Sequence, residues 1–140
     1  MSALLDVNLL LACGWQTHAE HARALAWLGG ETEFFTCPLV ELGFIRVSMG
    51  PAYRASFADT VEALSAIKRR ANARVIPVDF DATRLPSLSA HGEVTDAYLA
   101  SLACEHGLHG LQLATLDVPL TKKPWAPGIA FRPFEKLTPD

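Results

Sequence analysis

Long apolar runs are missing from this sequence: no uninterrupted hydrophobic stretch approaches the ~20 residues that a membrane span requires. A secretory leader is not expected, because MSALLDVNLL has no basic flank and Asp6 interrupts its apolar run. Cysteine is scarce. Cys13, Cys37 and Cys104 are odd in number, widely spaced and without a CxxC, which argues against a disulfide frame or zinc site. They read as buried thiols of a protein in a reducing cytoplasm. A basic excess is absent too, with 12 Lys and Arg against 15 Asp and Glu, which excludes nucleic-acid binding by bulk positive charge alone. That exclusion is narrow: were four acids gathered around a cation, the rest of the surface would carry eleven acids against twelve bases. Neither a P-loop nor a GxGxxG is present, and no Ser–His–Asp or Cys–His arrangement stands out.

What is present is a chain of 140 residues, 50% hydrophobic and 19% charged, long enough to form one domain (1–140) with a proper core. Ala3–Leu5 is a short apolar run closed by Asp6, and Val7 onward continues without a turn signal, so a buried strand passes directly into a helix. The pattern predicts a helix over 17–28, stopped by Gly29-Gly30, and a strand over 33–36. A helix then starts at Pro38 and ends at the Gly50-Pro51 break, and another covers 54–71. Strands follow at 74–78 and 111–114, with a last one at 129–131; a short helix is expected over 81–87 and a longer one over 94–106, stopped near Gly107. Strands alternating with helices indicate an α/β/α sandwich around a mostly parallel central sheet.

In such a sheet, ligands are held beyond the carboxyl ends of the strands. Four acids map there. Asp6 ends the first strand, Asp117 lies just past 111–114, and Glu41 and Asp96 fall in the first turns of their helices. Singly, each has an ordinary explanation as a cap, a dipole partner or a turn residue, worth roughly 0.3–1 kcal/mol near a helix start. Converging carboxylates are another matter, since like charges a few ångströms apart repel unless a proton or cation lies between them. A hard divalent ion, Mg²⁺ or Mn²⁺, suits all-oxygen ligands.

LLDVNLLLA, CPLVELGFIRV, VTDAYLASLA and LATLD resemble, in order and spacing, the successive motifs of PIN-domain ribonucleases of the VapC toxin type, from Asp6 to the final FRPFE. The resemblance implies a single PIN-like domain. It also implies a metal-dependent endoribonuclease and an acidic quartet of Asp6, Glu41, Asp96 and Asp117. Asp6, Asp96 and Asp117 would be ligands of Mg²⁺ or Mn²⁺, and Glu41 would position or deprotonate the water. Asn8 and Thr115 match polar positions that orient ligands or a phosphate. The implied partners are an RNA substrate, a cognate VapB-like antitoxin and a second copy of the chain, with no membrane and a cytoplasmic location. Val118-Pro119-Leu120 departs from the commoner pattern, which has a basic and often a second acidic residue there.

Other residues admit two readings. Arg46 either compensates its helix dipole or reaches a phosphate. Lys122-Lys123 with Trp125 reads as a solvated loop, or as a cation-plus-stacking patch for single-stranded RNA. Lys68-Arg69-Arg70 with Arg74 reads as a basic helix end, or as an RNA track. His18 and His21 are expected at the surface, since no third ligand stands near. Two other functions compete: a non-catalytic PIN-like module that binds RNA or protein, and a haloacid-dehalogenase-type phosphatase. Asn8 counts against the latter, whose opening motif has a second Asp at that place.

Overall fold

The computed structural model describes residues 2–30, 33–106, 111–126 and 129–134. Five short strands form one sheet: β1 (Ala3–Leu5), β2 (Phe34–Thr36), β3 (Ala73–Val75), β4 (Gln112–Ala114) and β5 (Ala130–Phe131). Their spatial order is β3-β2-β1-β4-β5 and all four pairings are parallel. The expected α/β architecture is therefore the observed one, with the sheet wholly parallel. Ala3–Leu5 are fully buried, as a central strand covered on both faces requires. The order reverses direction between β1 and β4, so this is the switch point where a crevice opens at the carboxyl edge.

The helices are α1 (Val7–Gly14), α2 (His21–Gly30), α3 (Pro38–Met49), α4 (Phe57–Lys68), α5 (Val94–Glu105) and α6 (Val118–Thr121). α1, α3 and α4 pack on one another, while α5 packs on β4. Leu4, Leu5, Leu9, Leu10, Leu28, Phe34, Phe44, Leu99, Leu102 and Leu113 fill the core. Trp15 stacks on Phe44 at 6.0 Å and donates its indole N–H to Ser48 at 2.8 Å, tying the end of α1 to α3. Gly43 allows α3 to lie close to the start of α1, because a Cβ there would stand 2.6 Å from Val7 Cγ2. That contact sets Glu41, two residues earlier, near the edge where β1 ends.

Several boundaries differ from expectation for local reasons. α2 begins at His21 because residues 15–20 form a hydrogen-bonded turn, in which the Glu20 N–H is donated to His18 Nδ1. α4 begins at Phe57, since the Ser56 hydroxyl caps it by accepting the Asp59 N–H at 3.0 Å. The 81–87 helix is a single 3₁₀ turn, Ala82–Arg84, and the 74–78 strand stops at Val75, before Pro77. Asp117 starts the unexpected α6, whose first residues include Pro119. The stop expected at Gly107 lies outside the described residues. Cys13 and Cys37 are buried, but Cys104 is exposed, because it falls in the last turn of α5 beyond the buried stripe that ends at Ala103.

Candidate active site

Asp6 leaves the carboxyl end of β1 and is nearly buried. Its Oδ1 accepts the Val7 N–H at 2.8 Å as the N-cap of α1, and its Oδ2 accepts the Thr115 hydroxyl at 2.8 Å. Thr115 is fully buried just past β4 and acts as a junction. Its oxygen accepts the Asp117 N–H at 3.0 Å and the Asn8 amide at 3.2 Å. The Asn8 carbonyl oxygen accepts the Leu116 N–H at 3.1 Å. A buried hydroxyl that donates once and accepts twice is fully used. It fixes the start of α1 to the end of β4, and so holds Asp6 and Asp117 side by side across the switch point. Asp117 also caps α6, with Oδ1 accepting the Leu120 N–H at 3.2 Å.

Asp96 arrives from the first turn of α5, on the other side of the crevice. Capping does not explain it. The N-cap of α5 is Glu93, without a side-chain bond, and the Asp96 carboxylate has no hydrogen-bond partner among the described residues. Burial pushes its pKa up to about 6, with Asp6 and Asp117 adding repulsion and Lys123 opposing them. Asp6 is likewise raised, chiefly by burial and further by Asp117, against the hydrogen bonds from Thr115 and Val7. Three carboxylates from three elements thus share one electrostatic neighbourhood.

Glu41 stands apart from them. Its Oε2 accepts the Thr36 hydroxyl at 2.8 Å, and its Oε1 lies 2.9 Å from Lys68 Nζ. Thr36 is buried at the end of β2, and Lys68 is the last residue of α4. Sequence reasoning missed both partners. Thr36, a hydroxyl five residues before the acid at a strand-to-helix junction, left a faint signal; Lys68 left none. At the rest of the basic helix end, Arg69 pairs with Glu62 at 2.9 Å and Arg74 with Glu33 at 3.2 Å.

Arg46 is exposed and makes no hydrogen bond or ion pair among the described residues. Trp125 is half-buried against the core and donates its indole N–H to Glu93 at 3.0 Å. His18 and His21 are half-buried. Burial of the His18 ring lowers its pKa, in keeping with Nδ1 accepting a backbone N–H, and His21 Nδ1 lies 2.7 Å from the Ala12 carbonyl oxygen. Beside Asp117 opens a cavity of about 400 Å³ lined by Asn8, His18, Glu20, Leu116, Val118 and Pro119. Its size falls within the ~300–1,000 Å³ range of ligand pockets.

Among the described residues, no three acidic, histidine or cysteine side chains stand close enough together to hold an ion as they are placed. The donor chemistry still fits a hard divalent cation. Asp6, Asp96 and Asp117 are all-oxygen ligands, and their crowding carries an electrostatic cost that a cation would remove.

No protein-family model matches the chain. It is 36% identical over 122 residues to Ribonuclease VapC38 of Mycobacterium tuberculosis (strain ATCC 25618 / H37Rv), a match covering 82% of this chain and 84% of that protein. Ribonuclease VapC29 of the same species (strain CDC 1551 / Oshkosh) is 35% identical over 120 residues, covering 84% and 86%. Among solved structures, VapBC2 from Rickettsia felis, bound to a DNA fragment from its promoter, matches with a TM-score of 0.62. Its identity is 14%, covering 94% of this chain and 98% of that one. VapC20 of Mycobacterium tuberculosis, a toxin that cleaves the sarcin-ricin loop, matches at 0.56 with 17% identity, covering 78% and 86%. At those identities the structural likeness speaks for the fold.

Proposed function

The chain belongs to the VapC ribonucleases, and from that premise we propose that its acidic edge hydrolyses RNA phosphodiester bonds with a divalent cation held by Asp6, Asp96 and Asp117. The observation that carries this reading is Asp96, raised to about 6 by burial and then by repulsion from Asp6 and Asp117, with its carboxylate left without a hydrogen-bond partner among the described residues. A carboxylate kept for capping or packing would be engaged. This one is poised for something that binds.

Mg²⁺ or Mn²⁺ at such a donor set supplies charge compensation for the phosphodiester and acidifies water. Thr115 and Asn8 hold Asp6 and Asp117 in orientation, the role of groups that support ligands from behind. Glu41, fixed on both oxygens, accepts the proton of the attacking water. Arg46 contacts a substrate phosphate from the exposed side of α3, and the cavity beside Asp117 receives a neighbouring part of the RNA.

The protein acts as a single PIN-like domain in the cytoplasm and as a homodimer. A VapB-like antitoxin inhibits it by presenting an Arg or Lys to the uncompensated aspartates, a charge-assisted contact of the strong kind. No helix in the described residues is long and apolar enough to cross a membrane.

The test is cleavage of bulk cellular RNA by antitoxin-free protein with Mg²⁺, with Mn²⁺ and with EDTA, beside Asp6→Asn and Asp96→Asn. Metal-dependent cleavage is expected in the wild type, and a loss on the order of 100-fold or more in each variant. If folded wild type and variants behave alike in all three conditions, the catalytic reading falls and a non-catalytic RNA- or protein-binding module takes its place.

A further inference from the structure

Among the described residues, Glu41 is the one acid of the quartet in an ion pair, and its cation comes from a distant part of the chain. Ile67 is buried in the core and anchors the last turn of α4, so Lys68 emerges beside it at the sheet edge. Its Nζ meets Glu41 Oε1 at 2.9 Å across 27 residues of sequence, while the Thr36 hydroxyl takes Oε2 at 2.8 Å. Both oxygens are committed and the plane of the carboxylate is set. Side-chain exposures of 36% for Lys68 and 16% for Glu41 leave the pair partly solvated. A pair of that kind contributes little to stability. On the other flank, Asp6, Asp96 and Asp117 have no ion pair among the described residues.

We propose that Lys68 is a positioning residue that holds Glu41 out of the ion-binding set. A divalent cation is then received by the three aspartates alone, and Glu41 stays oriented as a proton acceptor from the β2 side of the edge. This rests on the reading of the aspartates as an ion site and adds a division of labour to it. Without the lysine, Glu41 becomes an uncompensated fourth charge facing the same edge. The site then attracts a cation more strongly, while the carboxylate loses its fixed direction. Arginine would keep the charge and much of the geometry.

The experiment is Mn²⁺ binding to the full antitoxin-free chain, read by electron paramagnetic resonance of the free ion. The proteins are wild type, Lys68→Met, Lys68→Arg, Glu41→Gln and the double variant Lys68→Met/Glu41→Gln. Lys68→Met is expected to tighten Mn²⁺ binding by roughly three- to tenfold, the effect of one exposed unit charge several ångströms away. Glu41→Gln is expected to weaken it by less than about threefold, because the lysine left without its partner is partly exposed and turns into solvent. The double variant and Lys68→Arg should bind as the wild type does. A merely structural lysine would not make its effect depend on Glu41. Equal tightening with and without Glu41, or no change in Lys68→Met, overturns the proposal while leaving the ion site intact. A wild type that binds no Mn²⁺ overturns the ion site and this proposal together.

Discussion

The two flanks of the acidic edge are built on opposite principles. On the β2 side, one carboxylate has a buried hydroxyl on one oxygen and a lysine on the other. Across β1 and β4, three carboxylates repel one another, answered among the described residues by hydrogen bonds to two of them and by Lys123 acting on Asp96. The first flank is an ordinary satisfied arrangement. The second carries unrelieved repulsion, and a folded protein keeps such repulsion where something else is meant to bind. On the proposed function, the contrast separates an acid that acts by its position from acids that act by their charge.

Each flank also rests on one buried threonine, and exchanging these for valine should give the largest change in stability. Thr115→Val removes the donor to Asp6 and the acceptor of the Asp117 N–H in a fully buried setting, which is expected to destabilise by about 1–3 kcal/mol. Thr36→Val leaves Glu41 its lysine, so its cost should be clearly smaller. Urea unfolding of both variants checks the order, and equal costs would mean that the two flanks are tied alike.

A smaller effect of the opposite sign is expected at Asp96. Its folded pKa lies above the ordinary 3.8, at about 6, so the folded state binds the proton more tightly than the unfolded chain does. Stability of the metal-free protein therefore falls as pH rises from about 4 through about 6, and stays low above that. Asp96→Asn should remove this loss, raising stability at pH 7 by about 1 kcal/mol, a figure reduced because the carboxylate is only half-buried. At pH 3 the variant and the wild type should match. Thermal unfolding in EDTA at the two pH values gives the answer, and a destabilised Asp96→Asn at pH 7 would mean that the crowding is relieved some other way. The smallest change belongs to the satisfied flank. Glu41→Gln should lower stability by no more than about 0.5 kcal/mol, since it only breaks a partly solvated ion pair. A stabilising effect there would erase the distinction between the flanks.

Much of this could be read along the chain. The central strand β1 is a short apolar run, and α3 carries its own start signal in Pro38. Two of the misjudged boundaries lie where a side chain binds the backbone at a helix start, as His18 does before α2 and Ser56 before α4. Capping was the plain explanation offered for Asp96 by its place in a first turn, yet the carboxylate makes no such bond among the described residues. The reverse happened at Lys68, whose place at a helix end suggested only dipole compensation.

The sequence by itself determined the α/β class and the placing of four acids at strand ends and helix starts. Hydrophobic period and capping residues act within a few positions of each other, so they are written locally. Tertiary structure alone decided which acids share a neighbourhood and which is held apart. Those outcomes depend on contacts such as Thr115 with Asp6, 109 residues apart, and Lys68 with Glu41, 27 apart. Coulomb repulsion and hydrogen bonding are settled by distances of a few ångströms in space, and no local spacing encodes them.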